Sequence, residues 1–92
     1  MASFVGPYRI LRLVNRGGQG SVYLGYDKRL HRRVAVKISD LPRARTDRRR
    51  LLDEARAVAG IQSPRVVQVH DVIESSKHLA MVMDEMAARS VR

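Results

Sequence analysis

A glycine-rich segment between two strand-like runs constrains the fold of this chain more than any other feature. Strand-like apolar runs occupy both ends of residues 8–26, and the segment between them contains three glycines, Gly17, Gly18 and Gly20. Because glycine has no Cβ, such a hairpin tip serves either turn geometry or the close approach of backbone amides to an anion. Dinucleotide-binding and Walker loops lead from a strand into a helix, so a loop that joins two strands excludes both.

The remaining sequence predicts a third strand, a single helix and two final strands. Residues rich in β-branched side chains predict a strand at 32–38, and apolar residues recur at helical spacing within 46–60. Two apolar runs separated by a short polar turn predict strands at 66–73 and 78–83. Short connections favour antiparallel neighbours. We therefore expect one α+β domain over residues 1–92, a five-stranded antiparallel sheet with one main helix in the order β-β-β-α-β-β.

The predicted helix has one apolar face. Thr46 is a suitable N-cap, and Gly60 suits the position just past the last turn. At roughly 100° per residue, a single stripe collects the apolar side chains, which are Leu51, Leu52, Ala55, Val58 and Ala59. Glu54 lies on the flank of this stripe and Asp53 points nearly opposite, so Glu54 is the acidic residue able to reach the sheet.

Lys37 is a cation inside the predicted third strand. Period-two alternation places it on the face of Ala35, with the other face formed by Val34, Val36 and Ile38. A small residue beside a cation favours a ligand space, and an edge-strand lysine that reaches solvent is the alternative. An ion pair with Glu54 would hold the ammonium group toward an anion above the sheet. The alternative is a local pair between Glu54 and Arg50, four residues earlier on the helix.

The positive charge is concentrated in the first half of the chain. The 18 Lys and Arg exceed the 9 Asp and Glu, and the formal net charge is +9. The densest cluster is Arg43, Arg45, Arg48, Arg49 and Arg50. Such a cluster suits nucleic acid, an acidic protein surface or a phosphorylated residue, and a solvated helix start is the alternative. No aromatic residue lies among these arginines to stack on bases, so we do not expect nucleic-acid binding.

Composition excludes several further classes. The chain has no cysteine, which excludes a disulfide framework, a Cys-ligated metal site and a cysteine nucleophile. The three histidines lack the spacing of metal ligands, so we expect no metal site. No apolar run approaches the roughly 20 residues that span a bilayer, and the first residues do not resemble a signal peptide. We therefore expect a cytoplasmic protein without a membrane segment.

Several of these features, taken in order, resemble one family. A glycine-rich hairpin, the run Val34-Ala35-Val36-Lys37, a helix glutamate and two strands resemble the amino-terminal lobe of a protein kinase, in the Ser/Thr class found in bacteria. The resemblance extends from about Gly6 to Val91 and lacks the carboxy-terminal lobe. The first glycine of the family's loop is replaced by Asn15, and Ser63-Pro64 stands where the family often has His-Pro.

The resemblance implies a site for ATP. Gly17, Gly20 and Val22 match the G-x-x-G-x-V part of the loop that covers the nucleotide, with Gly18 between them. Lys37 matches the lysine on the α- and β-phosphates, and Glu54 matches its helix partner. Val22 and Ala35 would form the apolar roof of the adenine pocket. Met83 would be the gatekeeper. The hinge, whose backbone bonds the adenine edge, would consist of Asp84, Glu85 and Met86 at the start of the tail of residues 84–92.

The chain lacks the family's catalytic residues. Asn15 is the only asparagine and Phe4 the only phenylalanine, so neither H-R-D-x-x-x-x-N nor D-F-G occurs. His70-Asp71 lies within a strand-like run, which indicates a structural role. Magnesium would require ligands that this sequence does not contain. We therefore expect the isolated chain to bind ATP without transferring its γ-phosphate to protein.

A second function from a different class remains open. A kinase-derived regulatory or dimerisation module would bind a protein partner, or a second copy, without catalysis. Its docking surface would be the sheet face formed by Val22, Ala35, Met81, Met83 and Met86, which would be left apolar and uncovered.

Overall fold

A computed structural model describes residues 3–18, 20–61 and 67–86. The elements are β1 (Ser3–Val5), β2 (Tyr8–Gly17), β3 (Gly20–Asp27), β4 (Arg32–Asp40), α1 (Arg45–Ala59), β5 (Val69–Glu74) and β6 (His78–Asp84). The strands form one sheet in the order β1-β2-β3-β4-β6-β5, and every neighbouring pair is antiparallel. The α+β class with one main helix is therefore confirmed.

The prediction of five strands was wrong by one, because the first residues form β1. Three residues are too few for a readable alternation, and β1 depends on pairing with β2, where Val5 lies opposite Tyr8. The turn between them needs Gly6, whose φ of +55° is readily adopted only by glycine. A Cβ on Gly6 would also lie 2.8 Å from Cδ1 of Ile73 on β5, so the hairpin packs against the opposite edge of the sheet.

The two faces of the sheet bury different clusters. Val34, Val36 and Val82 are fully buried on one face, together with Tyr8 and Ala80. Ala35 is fully buried on the other face, where it packs with Val22 and the partly buried Val14 and Met83. This second face is the one that carries Lys37, because Lys37 and Ala35 are two residues apart on β4.

The helix packs onto the second face through Leu52 and Ala55, which meet Leu79 and Leu41. It begins at Arg45, and the N-cap is Ala44 without a side-chain hydrogen bond, so the prediction of Thr46 as N-cap was wrong. Tertiary contacts hold this end instead. The Arg48 guanidinium donates to the carbonyl oxygen of Ser76 at 2.8 Å and that of Pro42 at 3.3 Å. Gly60 directly follows the helix.

A polar network joins β2 to β5 across the curled sheet. The Tyr8 hydroxyl donates to Asp71 Oδ2 at 2.9 Å and accepts from Arg29 at 2.9 Å. Burial, followed by the bond to Asp71, raises the pKa of Tyr8 above 10.0. The guanidinium of Arg29 also lies over the Tyr8 ring. Asp71 thus has the structural role inferred from the sequence, inside β5.

The end of the chain differs from the sequence prediction in its boundaries. β5 begins at Val69, three residues after the predicted start, and Val67 and Gln68 precede it as irregular backbone. Asp84 belongs to β6, so the predicted tail starts one residue later. The predictions for Ser63-Pro64, for Val66 and for residues 87–92 lie outside the described residues. Within the described part of the chain, no helix is long and apolar enough to cross a membrane.

Candidate functional site

Lys37 lies at the centre of the face that also receives the helix. On β4 it pairs across the strands with Val22 on β3 and with Met81 on β6. The lysine is therefore on a central strand with neighbours on both sides. The alternative of an edge-strand lysine is excluded, because β4 is paired with β3 on one side and with β6 on the other at Lys37.

One cavity brings Lys37 and Glu54 together. It has a volume of about 490 Å³ and lies between the tip of the β2–β3 hairpin, β4 and α1. Its polar lining comes from Lys37, Glu54, Ser39 and Asp40, and backbone lining comes from Gly18 and Gly20. The apolar lining is Leu51, Ala55, Val58, Leu79 and Met81. The cavity thus offers one cation and loop backbone at an apolar wall, an arrangement that suits an anionic group carried on an apolar ligand.

The two charged groups share the cavity without an ion pair. Among the described residues, Glu54 is within ion-pair distance of neither Lys37 nor Arg50. Neither of the two ion pairs considered for Glu54, with Lys37 or with Arg50, is therefore formed in this conformation. Glu54 is exposed, and Asp53, on the far side of the helix, is exposed as well. The Lys37 ammonium is thus available to an anion that enters the cavity.

The three loop glycines differ in what the fold requires of them. Gly20 has a φ of +135°, and a Cβ there would overlap the carbonyl oxygen of Ile38 and lie 3.1 Å from Ser39 Oγ. A Cβ on Gly17 or Gly18 would meet nothing within 4 Å. Turn geometry and close packing therefore account for Gly20. They do not account for Gly17 or Gly18, which leaves close approach of a ligand as a reason for them.

The residues predicted to contact adenine lie beside this cavity rather than in its lining. Val22 and Ala35 are buried and pack with Val14 and Met83. This apolar surface adjoins Lys37, because Val22 on β3 is the cross-strand partner of Lys37 on β4. Asn15, at the entry of the loop, is part of β2 and also pairs with Val22. The cluster is an apolar floor that adjoins the charged cavity.

The predicted hinge follows directly from β6. The backbone N–H of Asp84 donates to Gln68 O at 3.1 Å, and the Gln68 N–H donates to Asp84 Oδ2 at 3.3 Å. His70 Nε2 lies 2.6 Å from Asp84 Oδ1. Glu85 forms an ion pair with Arg33 on β4 at 3.0 Å. Met86, the last residue described, is 70% exposed.

Sequence reasoning missed two groups of residues at this site. Ser39 and Asp40 line the cavity, and period-two spacing from Lys37 could have identified Ser39. His70 and Gln68, which bind Asp84, had no comparable signal, because their contacts depend on pairing between β5 and β6. In the described ranges, no three His, Asp or Glu side chains are grouped as metal ligands.

The apolar surface suggested for a protein partner is mostly covered. Val22 is 9% exposed and Ala35 is 0% exposed, while Met81 and Met83 are partly buried. Only Met86 in that group is largely exposed. A regulatory or dimerisation module that docks through this face is therefore not favoured.

Comparisons with known proteins agree with this geometry. Residues 8–92 match the family described as the protein kinase domain. The chain is 36% identical over 88 residues to serine/threonine-protein kinase pkn2 of Myxococcus xanthus, a match that covers 94% of this chain and 11% of that protein. It is 41% identical over 80 residues to serine/threonine-protein kinase PknE of Mycobacterium tuberculosis, covering 85% of this chain and 14% of PknE.

A third relative covers the whole chain. Serine/threonine-protein kinase PknD of Mycobacterium tuberculosis is 35% identical over 95 residues, which is 100% of this chain and 14% of PknD. The chain therefore spans between 11% and 14% of the length of these three relatives. The match to the family, the glycine-rich hairpin, and a strand lysine that shares a cavity with a helix glutamate lead to one conclusion: this chain belongs to the protein kinase family and has the fold of its amino-terminal, ATP-binding lobe.

Proposed function

We propose that this chain binds ATP as the nucleotide-binding lobe of a Ser/Thr protein kinase. The observation that carries the proposal is the shared cavity of Lys37, Glu54 and the glycine hairpin, where the cation has no partner among the described residues. ATP combines a polyanion with a flat, largely apolar base. The site offers matching surfaces, a cavity that contains the Lys37 ammonium group and an adjoining apolar floor.

The phosphate end of the nucleotide would occupy the cavity. Lys37 acts as a compact point charge for the α- and β-phosphates. The backbone of Gly17, Gly18 and Gly20 lies close to them because no side chain stands between. Glu54 is near enough to share the cavity, and we propose that it pairs with Lys37 when the nucleotide is bound, which keeps the ammonium group directed at phosphate.

The adenine end would lie on the apolar floor. Val22 and Ala35 would cover one side of the base, and Met83, which packs with them, would close the inner end of the pocket. The backbone at Asp84 and Met86 would bond the polar edge of the base. Because Ala35 is fully buried among Val22, Val14 and Met83, a larger side chain at that position would displace these neighbours and disturb the floor.

Phosphoryl transfer to protein needs groups that this sequence does not contain. In protein kinases an aspartate orients the acceptor hydroxyl, and an asparagine and a second aspartate bind magnesium. None of the corresponding motifs occurs in these 92 residues. We propose that the lobe works within a complete Ser/Thr kinase that supplies them. A cytoplasmic location stays a prediction, which is consistent with the use of ATP.

Titration calorimetry with ATP tests the proposal. Lys37→Ala should weaken ATP binding by about ten- to a hundredfold, because a hydrogen bond to a charged group contributes about 1.5–3 kcal/mol. Lys28→Ala removes an exposed lysine from the turn after β3 and serves as the matched control. Equal ATP affinity in wild type and Lys37→Ala would contradict the assignment of Lys37.

A radiolabelled-ATP assay tests the expected lack of transfer. We expect no phosphorylated protein with the 92-residue chain alone. Turnover that disappears in Lys37→Ala would show that the chain contains catalytic groups that sequence and structure do not reveal.

A further inference from the structure

A β-bulge directs His70 at the start of the predicted hinge. Val69 on β5 pairs with Met83 on β6, and Asp71 pairs with Val82. Between these two pairs, β5 advances by two residues while β6 advances by one, so His70 is the extra residue. A bulge rotates the side chains on the strand that carries it, and bulges are common next to functional sites because they re-aim a side chain.

The re-aimed imidazole contacts Asp84 at close range. His70 Nε2 lies 2.6 Å from Asp84 Oδ1, a short distance for a nitrogen–oxygen hydrogen bond. The His70 side chain is 18% exposed and that of Asp84 is 43% exposed, so water competes only in part for this contact. A hydrogen bond to an ionised carboxylate is stronger than a neutral one.

Asp84 also pairs with Val34 on β4, and its remaining hydrogen bonds are longer and come from Gln68. The Asp84 N–H donates to Gln68 O at 3.1 Å, and Asp84 Oδ2 accepts from the Gln68 N–H at 3.3 Å. Gln68 itself lies in irregular backbone before β5. Two contacts to irregular backbone fix Asp84 less firmly than a short contact to a side chain within the sheet. His70 therefore provides the short side-chain contact on Asp84 itself, while the ion pair with Arg33 at 3.0 Å restrains the next residue, Glu85.

We propose that His70 is a positioning residue that fixes the backbone at Asp84 and thereby sets the affinity for the adenine end of the nucleotide. This inference rests on the proposed ATP site, because it assigns the backbone after β6 to the edge of the base. His70 acts through Asp84 and does not itself contact the nucleotide. Its effect is confined to the base, since Lys37 and the loop glycines hold the phosphates independently.

Binding of three probes to the 92-residue chain separates the two ends of the site. Titration calorimetry would use ATP, adenosine and tripolyphosphate. His70→Leu should weaken adenosine and ATP by the same factor, about three- to tenfold, which corresponds to the loss of one hydrogen bond. Tripolyphosphate binding should not change. Lys37→Ala should give the opposite pattern, with weaker tripolyphosphate binding and unchanged adenosine binding.

Conservative and control variants test that the effect comes from the bond to Asp84. His70→Gln keeps a donor at a reach similar to that of Nε2, so adenosine affinity should return to within twofold of wild type. His78→Leu is the matched control for adenosine binding and for the hinge, because His78 also pairs with a carboxylate, Asp40 at 3.3 Å, but at the other end of β6, where the cavity assigned to phosphate lies. If His70→Leu does not fold, His70→Asn replaces it, because its shorter amide cannot reach Asp84.

A measurement without nucleotide examines the hinge directly. In ¹H–¹⁵N spectra of the free chain, His70→Leu should shift or broaden the amide signals of Asp84, Glu85 and Met86. His78→Leu should leave them unchanged. Unchanged hinge signals in His70→Leu would overturn the positioning role.

The binding results distinguish failure of this inference from failure of the proposed function. If wild type binds adenosine and His70→Leu binds it equally well, the role of His70 is overturned and the ATP site stands. If wild type binds neither ATP nor adenosine, the proposed function is overturned, and the adenine role of His70 with it.

Discussion

Substitution of Gly20 by alanine separates a glycine that the fold requires from glycines that it does not. The Gly20 backbone has a φ of +135°, where a side chain costs about 1–3 kcal/mol in strain. The added methyl would also overlap the carbonyl oxygen of Ile38, and relief of such an overlap typically costs about 1–3 kcal/mol. We expect Gly20→Ala to lower the free energy of unfolding by about 3 kcal/mol.

A loss of this size is large for so short a chain. A domain of this length has a total stability of roughly 5–14 kcal/mol, and 1 kcal/mol shifts its Tm by about 4–8 °C. Gly20→Ala should therefore lower the Tm by about 12–24 °C. Thermal unfolding followed by circular dichroism measures the shift, and urea unfolding at constant m-value measures the free energy.

Gly18→Ala is the matched control in the same loop. A Cβ on Gly18 meets no atom within 4 Å, so the free energy of unfolding should change by less than about 0.5 kcal/mol. Gly18 lines the cavity with Lys37, so the same methyl should reduce ATP affinity without reducing stability. The reasoning is refuted if the two variants melt within about 3 °C of each other, which by the same scale is less than about 1 kcal/mol.

Two further predictions concern stability. Burial by itself would raise the pKa of Asp27, but the N–H groups of Arg29 and Leu30 and the Arg29 guanidinium outweigh it and hold the pKa below 3.8. The stabilisation by ionised Asp27 is therefore present above pH 3.8 and is lost as the pH falls below that value. Asp27→Asn should flatten the acid limb of the curve of unfolding free energy against pH. Leu52→Ala should cost about 2–4 kcal/mol in urea unfolding, because Leu52 is 7% exposed and its removal opens a cavity under the helix.

Each of these has a control on the helix. Asp53→Asn removes an exposed carboxylate and should leave the acid limb unchanged. Val58→Ala, at a side chain that is 40% exposed, should cost less than about 1 kcal/mol. An acid limb as steep in Asp27→Asn as in wild type would contradict the argument that the ionised Asp27 carboxylate stabilises the fold. Equal losses of stability in Leu52→Ala and Val58→Ala would contradict the argument from burial.

The helix start shows why boundaries were harder to predict than elements. Thr46 has the chemistry of an N-cap, yet the helix begins at Arg45 after Ala44. Arg48 bonds to Pro42 and to Ser76, 28 residues away, and these contacts hold the first turn without a cap. A contact with a distant carbonyl leaves no trace in the local pattern, so sequence reasoning selected the best local residue instead.

At the candidate site, too, local patterns predicted which residues face the site but not how those residues contact each other. Alternation on β4 was enough to place Lys37 beside Ala35 and away from Val34, because the pleat of a strand repeats every two residues whatever surrounds it. Helical spacing was enough to select Glu54 over Asp53. It did not show that Glu54 and Lys37 would share a cavity without forming an ion pair, since the separation of the two depends on how the helix sits on the sheet.

The sequence by itself determined the types and order of the main elements, the face of the cation and the glycine-rich character of the loop, because each follows from periodicity or from the chemistry of single residues. The tertiary structure decided β1, the position of β6 between β4 and β5, the bulge at His70 and the requirement for glycine at position 20. Each of these depends on backbone atoms far apart in the chain that must pair or pack. Tyr8 and Asp71 illustrate such a contact, because they are 63 residues apart in the chain and the Tyr8 hydroxyl lies 2.9 Å from Asp71 Oδ2.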